Sequence, residues 1–184
     1  MLILFAPRCV SQTHNNVVNI AKSYVGIKET KKNSSPLIDK FLYNVNSKPG
    51  NPWCSAFVSW CLDSANITTL KIRSALARNF IIKSNKSMLN IKAKSISAKK
   101  VIINNMDVPS GSIIVWRKGQ TIFGHVGIVN TWNKNKGITI EGNTSPDNYS
   151  NTYKNQYNGQ GVYIKKRYII PTNYFRITDF TLYE

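Results

Sequence analysis

Asn51-Pro52-Trp53-Cys54-Ser55-Ala56-Phe57-Val58-Ser59-Trp60-Cys61-Leu62 reads as a helix. Counting from Cys54, the residues three, four, seven, eight and eleven positions on are Phe57, Val58, Cys61, Leu62 and Ala65, one apolar stripe at helical spacing. Asn51 suits the N-cap and Pro52 the first helical position, where a missing N–H costs nothing. Cys54 then falls in the first turn, at the head of the stripe. The backbone N–H groups of that turn have no helical acceptor, and the helix dipole favours negative charge there. Such a setting stabilises a thiolate and can lower a cysteine pKa from about 8.5 to roughly 3.5–7.5. A cysteine on a buried stripe is more often plain packing, and Cys61, two turns deeper, is read that way.

The chain has 184 residues, enough for one domain with a real core. Its 42% hydrophobic and 11% aromatic content argue against disorder. The 25 Lys+Arg against 8 Asp+Glu leave a net charge of +17, which points to a polyanionic partner: nucleic acid, an anionic membrane surface or an acidic cell-wall polymer. Cys9, Cys54 and Cys61 form no disulfide framework. The last two lie about 10 Å apart by helical rise, too far to bridge. His14 and His125 are the only histidines, and neither has a zinc-ligand spacing. His14 is expected near the surface, at the start of the first helix. Met1–Ala6 is apolar but too short to span a membrane and lacks the basic flank of a signal peptide. No transmembrane run occurs elsewhere, so work outside the cytoplasm would require a separate route of release or secretion.

Along the chain, residues 14–29 predict a helix, with Val17, Ile20, Ala21 and Tyr24 on one side. Leu37–Val45 predicts a short second helix, and Ser47-Lys48-Pro49-Gly50 breaks the chain before the cysteine helix. A further helical piece is expected around Ile72–Ile81. Residues 83–105 carry Lys83, Lys86, Lys92, Lys94, Lys99 and Lys100 in a Ser- and Asn-rich setting. They read as an irregular or edge-strand insertion whose lysines form a solvated face or a basic patch turned to substrate. From Pro109 the period becomes that of strands: Ser112–Trp116, His125–Trp132, Ile138–Glu141, Gly161–Ile170 and Tyr174–Phe180. Helices first and strands after predict a single α+β domain with an antiparallel sheet, its core at about 14–170.

His125 is the second half of a possible thiol site. Pairing Trp132 with Ile138 across a five-residue loop sets His125, Gly127 and Val129 on one face with Glu141 and Asn143. In that register Asn143 lies opposite Gly127, and Glu141 opposite Val129, roughly 13 Å from His125 at strand rise. A shift of register by four would bring Glu141 directly across from His125 with the set still on one face, and an odd shift breaks it. Both Cys–His–Glu and Cys–His–Asn stay open. A thiol, an imidazole and a group that orients the imidazole are what acyl transfer needs, with first-turn N–H groups to bind the oxyanion. An N-cap at Asn51 would consume one of those donors.

With these residues in place, the chain resembles the CHAP family of cysteine amidohydrolases and peptidases, related to the papain-like and NlpC/P60 enzymes. The resemblance is carried in order by Ala21–Glu29, Pro52-Trp53-Cys54-Ser55-Ala56-Phe57-Val58-Ser59-Trp60-Cys61, Ser74-Ala75-Leu76-Ala77-Arg78, Pro109-Ser110-Gly111-Ser112-Ile113-Ile114-Val115-Trp116, Gly124-His125-Val126-Gly127-Ile128-Val129 and Glu141-Gly142-Asn143-Thr144-Ser145. It implies a papain-like α+β fold, with Cys54 as nucleophile, His125 as base, and Glu141 and Asn143 as the orienting and assisting polar groups. Asn51, Trp53 and Trp116 are the substrate-binding candidates beside them. Ser112 stands where the family has an acidic residue, and the 83–105 stretch is longer and more basic than usual. The acidic calcium cluster of some members is missing, so neither metal nor other cofactor is expected.

The implied activity is cleavage of an amide bond in peptidoglycan, at the stem peptide or at the glycan–peptide link, by a phage lysin or an antibacterial effector. Anionic wall polymers are expected partners, as is an immunity or inhibitor protein for an effector. No specific nucleic acid is expected. The alternative is a non-catalytic basic module that binds wall polymer or nucleic acid, for which Lys165-Lys166-Arg167-Tyr168 is the carrying stretch. A cysteine hydrolase acting on a protein or another amide is a third reading.

Overall fold

A computed structural model describes residues 10–67, 72–82, 93–146 and 160–183. The leading apolar segment, Cys9 and the lysines at 83, 86 and 92 lie outside the described residues. In chain order the elements are α1 (Val10–Ser23), α2 (Pro36–Asn44), α3 (Cys54–Ser64), a 3-10 turn (Ala77–Phe80), β1 (Ala93–Ser97), α4 (Ala98–Ile103), β2 (Ile113–Lys118), β3 (Gly124–Asn133), β4 (Lys136–Thr144), β5 (Gly161–Tyr168) and β6 (Phe175–Tyr183). The strands form one antiparallel sheet in the order β1-β6-β2-β3-β4-β5. The fold is α+β, as the order of elements in the sequence predicts.

Alternation along the central strands sorts the core into two faces. Ile113, Val115, Val126, Ile128 and Ile140 pack with α1, α2 and α3. Ile114, Trp116, Val129 and Trp132 pack with Phe175, Ile177 and Phe180 of β6 and with Ala98 and Val101 of α4. The last strand is inserted between β1 and β2, so the core runs past residue 170, and Phe180 and Tyr183 are buried in it.

Helix α3 begins at Cys54, later than Asn51 and Pro52 suggest, and Trp53 occupies its N-cap without a side-chain cap bond. Asn51 is spent elsewhere, its amide donating to Ser47 Oγ at 3.0 Å. The expected stripe is buried, but so are Ser55, Ala56 and Ser59 on the other side of the helix. Small residues there let α3 lie close to the sheet: a Cβ on Gly142 of β4 would sit 2.7 Å from Phe57 Cβ and 2.7 Å from Trp53 Cζ3. By contrast α2 is capped as its sequence reads, with Ser35 Oγ accepting from Ile38 N–H at 3.3 Å and Pro36 at the first position.

Four other expectations are corrected. Helix α1 stops at Ser23, because the chain after it bonds to β5: Gly26 N–H donates to Val162 O and Val162 N–H to Ile27 O. Residues 72–81 hold only the 3-10 turn, since Ser74 Oγ draws the Leu76 N–H and the Asn79 amide into a local turn in place of a helix. The described part of the basic insertion is β1, a short edge strand with Lys94 exposed, followed by the unforeseen α4, capped by Ser97. His14 is buried, not superficial: its Nε2 donates to Tyr183 O at 2.6 Å, while Tyr183 OH donates to Gly111 O at 2.9 Å. This pair ties the end of β6 to α1 and to the turn before β2.

Candidate active site

The site lies where the first turn of α3 meets the β3–β4 hairpin. Both strands touch the helix. Because α3 starts without a side-chain cap, its first intrahelical bond is Phe57 N–H to Trp53 O at 2.9 Å. The N–H groups of Cys54, Ser55 and Ala56 therefore precede any helical acceptor, and the competition expected from an Asn51 cap does not arise. Cys54 is 8% exposed, so the thiol is sunk in the wall yet open to a small reactant.

His125 is the second residue of β3 and stands close enough to Cys54 to lower the pKa of its thiol. Its Nε2 donates to Glu141 Oε2 at 2.9 Å, which leaves Nδ1 as the ring nitrogen not engaged by the carboxylate. Glu141, rather than Asn143, is thus the group on Nε2. A two-step register change brings it there. The hairpin turns through Lys134-Asn135 alone, with Lys134 at φ +56, so Trp132 pairs with Gly137 and the register slips by one. An irregularity between Val129 and Thr131 slips it by one more, and Ile128 pairs with Ile140. The net shift is even, so parity survives and Glu141 faces Gly127. There its Cγ fills the space a side chain would take, 2.7 Å from an ideal Cβ on Gly127. Asn143 is buried just beyond, at φ +54 in an irregular stretch of the β4–β5 ladder.

Glu141 is fully buried and its two oxygens are both engaged. Arg167 of β5 grips it in bidentate fashion, Nε on Oε1 at 2.7 Å and Nη2 on Oε2, and Thr139 Oγ1 also donates to Oε1. The Arg167 guanidinium lies 5.4 Å from the centroid of the Trp116 ring, which stands beside His125 at 5.2 Å between centroids.

The electrostatics favour a charged thiol–imidazole pair. Burial pushes the Cys54 thiol up, but the bond to His125, its charge, Ser55 and the Val126 backbone outweigh this and bring it below 9.0. Burial pulls the His125 imidazole down, and the bonds and charges of Cys54 and Glu141 reverse that, raising it from 6.5 to about 9. Burial likewise pushes Glu141 up, but the Arg167 charge and hydrogen bonds, with His125 behind them, hold it far below the usual carboxylate range. Cys61 has no such neighbours, and burial alone raises its thiol well above 9.0. The chemistry available here is that of a sulfur shifted toward its thiolate beside an imidazole shifted toward its protonated form.

The other sequence candidates fare differently. Asn51 is exposed. Trp53 is fully buried, its indole N–H donating to Glu29 Oε1 at 2.9 Å, and Trp116 is buried under Arg167. Neither indole presents a surface to a substrate, because each serves as a wall of the core. Two residues the sequence reading passed over matter here: Glu29, which holds Trp53, and Arg167. The stretch 165–168 looked like a basic surface, yet Lys165 and Arg167 point inward, Lys165 Nζ donating to Ser145 O at 2.8 Å. Only Lys166 and Tyr168 are outside. Among the described residues no group of three His, Cys, Asp or Glu side chains is placed to hold a metal ion, and no helix is long and apolar enough to cross a membrane.

The family model described as CHAP domain matches residues 46–143, slightly more than half of the 184 residues, and takes in Cys54, His125, Glu141 and Asn143. No curated protein and no solved structure matches the chain at a significant level. On the strength of that match the chain belongs to the CHAP-domain family, whose members are amidases and peptidases of the peptidoglycan-hydrolase type.

Proposed function

We propose that this protein hydrolyses an amide bond of peptidoglycan with Cys54 as nucleophile, His125 as acid and base, and Glu141 as the group that orients His125. The observation that carries the reading is the His125 ring placed between Cys54, whose thiol pKa it lowers, and Glu141, to which its Nε2 donates at 2.9 Å. The thiolate attacks the amide carbonyl carbon, and the oxyanion that forms is met by the N–H of Cys54 at the mouth of α3. Collapse expels the amine, which takes the imidazolium proton, and leaves a thioester on sulfur. Water then attacks the thioester with its proton passing to His125. The carboxylic product leaves and the thiolate–imidazolium pair is restored.

Asn143, buried one step past Glu141 with a left-handed backbone, assists as a polar neighbour of the pair. Asn51, exposed three residues ahead of the nucleophile, is the candidate substrate contact. The bond is either the N-acetylmuramoyl-L-alanine link or one within the stem peptide. A net charge of +17 suits work on an anionic envelope, as a phage lysin or an antibacterial effector would perform it.

Mass spectrometry of muropeptides released from purified peptidoglycan tests this directly. Wild type should release fragments whose new termini identify the bond, and Cys54→Ala should lose about 10³-fold or more of that rate while keeping its circular dichroism spectrum. Equal release by both proteins overturns the mechanism. Salt-sensitive wall binding without release by either would favour a basic adhesive module instead.

A further inference from the structure

We infer that Arg167 is a positioning residue for the thiol site: its guanidinium clamps Glu141 and balances its charge, so that the carboxylate is held on His125 Nε2. The inference rests on the reading of Cys54 and His125 as a working pair and adds a fourth member to it. Arg167 lies outside the 46–143 span that the family model matches.

Cys54, His125, Glu141 and Arg167 are 8%, 1%, 0% and 0% exposed, so water can do little to support their charges. A carboxylate in such a place is costly unless it is paired and all its lone pairs are used. Arg167 supplies two donors in a fixed fork, one to each oxygen of Glu141, and Thr139 supplies another to Oε1. That leaves Oε2 one free direction, and His125 Nε2 fills it. The fork therefore sets the aim of the carboxylate as well as its charge.

The charge count makes the same point. A thiolate, an imidazolium, a carboxylate and a guanidinium sum to zero. Without the guanidinium the buried set carries one uncompensated negative charge, and one proton must come in. If sulfur takes it, the nucleophile is lost. If the carboxylate takes it, the imidazolium loses its counter-ion, and the thiol keeps its proton to higher pH. On either route the pH at which the thiolate appears moves up.

The test is the pH dependence of Cys54 alkylation by iodoacetamide in the full chain, with Cys54→Ser giving the background from the other cysteines. In Arg167→Gln the acid limb should rise by about half a pH unit or more, less than an opposite charge lost at contact distance would give, because Arg167 reaches sulfur through Glu141 and His125. In Arg167→Lys, which keeps the charge but not the fork, it should rise by less. An unmoved limb in folded Arg167→Gln overturns the inference; should that variant fail to fold, an unmoved limb in Arg167→Lys overturns it instead. Alkylation involves no substrate, so these outcomes stand whatever bond the enzyme cuts. A wild-type limb in the ordinary thiol range would sink the thiol–imidazole pair itself, and the proposed function with it.

Discussion

Burial penalises a thiolate and an imidazolium alike, and Cys54 and His125 are both buried, yet each shifts toward its charged form. The charges pay for one another, with Glu141 as the backing for the imidazolium. This has a consequence for pH dependence. The hydrolytic pair exists above the lowered Cys54 pKa and below the raised His125 pKa of about 9. As pH rises through about 9 the imidazolium loses the proton it would give to the leaving amine, while the sulfur stays ionised. We therefore expect kcat/KM on a soluble muropeptide to fall above pH 9, while the rate of Cys54 alkylation stays level across the same range. A parallel fall in both would mean that the basic limb belongs to the thiol or to unfolding. At this scale the sequence was informative about Cys54 and His125, because a helix start and a strand start each leave a mark in spacing. It was silent on Arg167. Alternation along β5 that buried Val162 and Ile164 would turn Lys165 and Arg167 outward, but Ile164 is 43% exposed, and Lys165 and Arg167 are buried. A single partner on another strand reversed the face, and no local pattern encodes that partner.

At the scale of elements, two glycines hold the site together by what they lack. Gly127 leaves room for Glu141, and Gly142 leaves room for the first turn of α3. Replacing them separates catalysis from stability. In Gly127→Ala the new Cβ would stand 2.7 Å from Glu141 Cγ and 3.2 Å from Ile140 O, and the carboxylate must swing away from His125. Displacements near 1 Å in such a chain cost on the order of 10²-fold in rate, so we expect kcat/KM to drop about that far with a modest change in denaturation midpoint. In Gly142→Ala the clash is with Phe57 Cβ and the Trp53 ring, deep in the core. Overpacking of that kind costs about 1–3 kcal/mol, and urea unfolding should show it. Equal effects of the two changes on stability would contradict this division. The hairpin between them also explains where a sequence reading of the site stops. The alternation that puts His125 and Glu141 on one face is legible, but the two slips of register, one in the turn and one at the irregularity after Val129, are not. Only their even sum preserves the face, and a bulge leaves no signature in a run such as Ile128-Val129-Asn130-Thr131.

For the whole molecule most of the order of elements was legible because the period passes from helical to strand-like near Pro109, whereas the short α4 between β1 and that point left no such mark. The position of β6 was not, since a terminal strand that enters between β1 and β2 makes contacts far away in sequence. The net charge of +17 is the other global property, and it belongs mostly to the surface: Lys22, Lys28, Lys31, Lys32, Lys40, Lys48, Lys94, Lys99 and Lys100 are all exposed, whereas Lys165 and Arg167 are buried among partners. Charge spread in this way acts at long range, which on the proposed reading draws the enzyme to an anionic wall, and salt screens it as the Debye length falls from about 10 Å at 0.1 M to about 3 Å at 1 M. The chain of contacts from Cys54 to Arg167 is largely buried and is screened far less. Turnover of intact cell walls should therefore fall steeply between those salt concentrations, while kcat/KM on a small neutral muropeptide changes little. If both substrates lost rate in proportion, salt would be acting on the site or the fold. If neither did, the surface charge would have no part in bringing enzyme and wall together, and contacts close to Asn51 would have to supply the affinity instead.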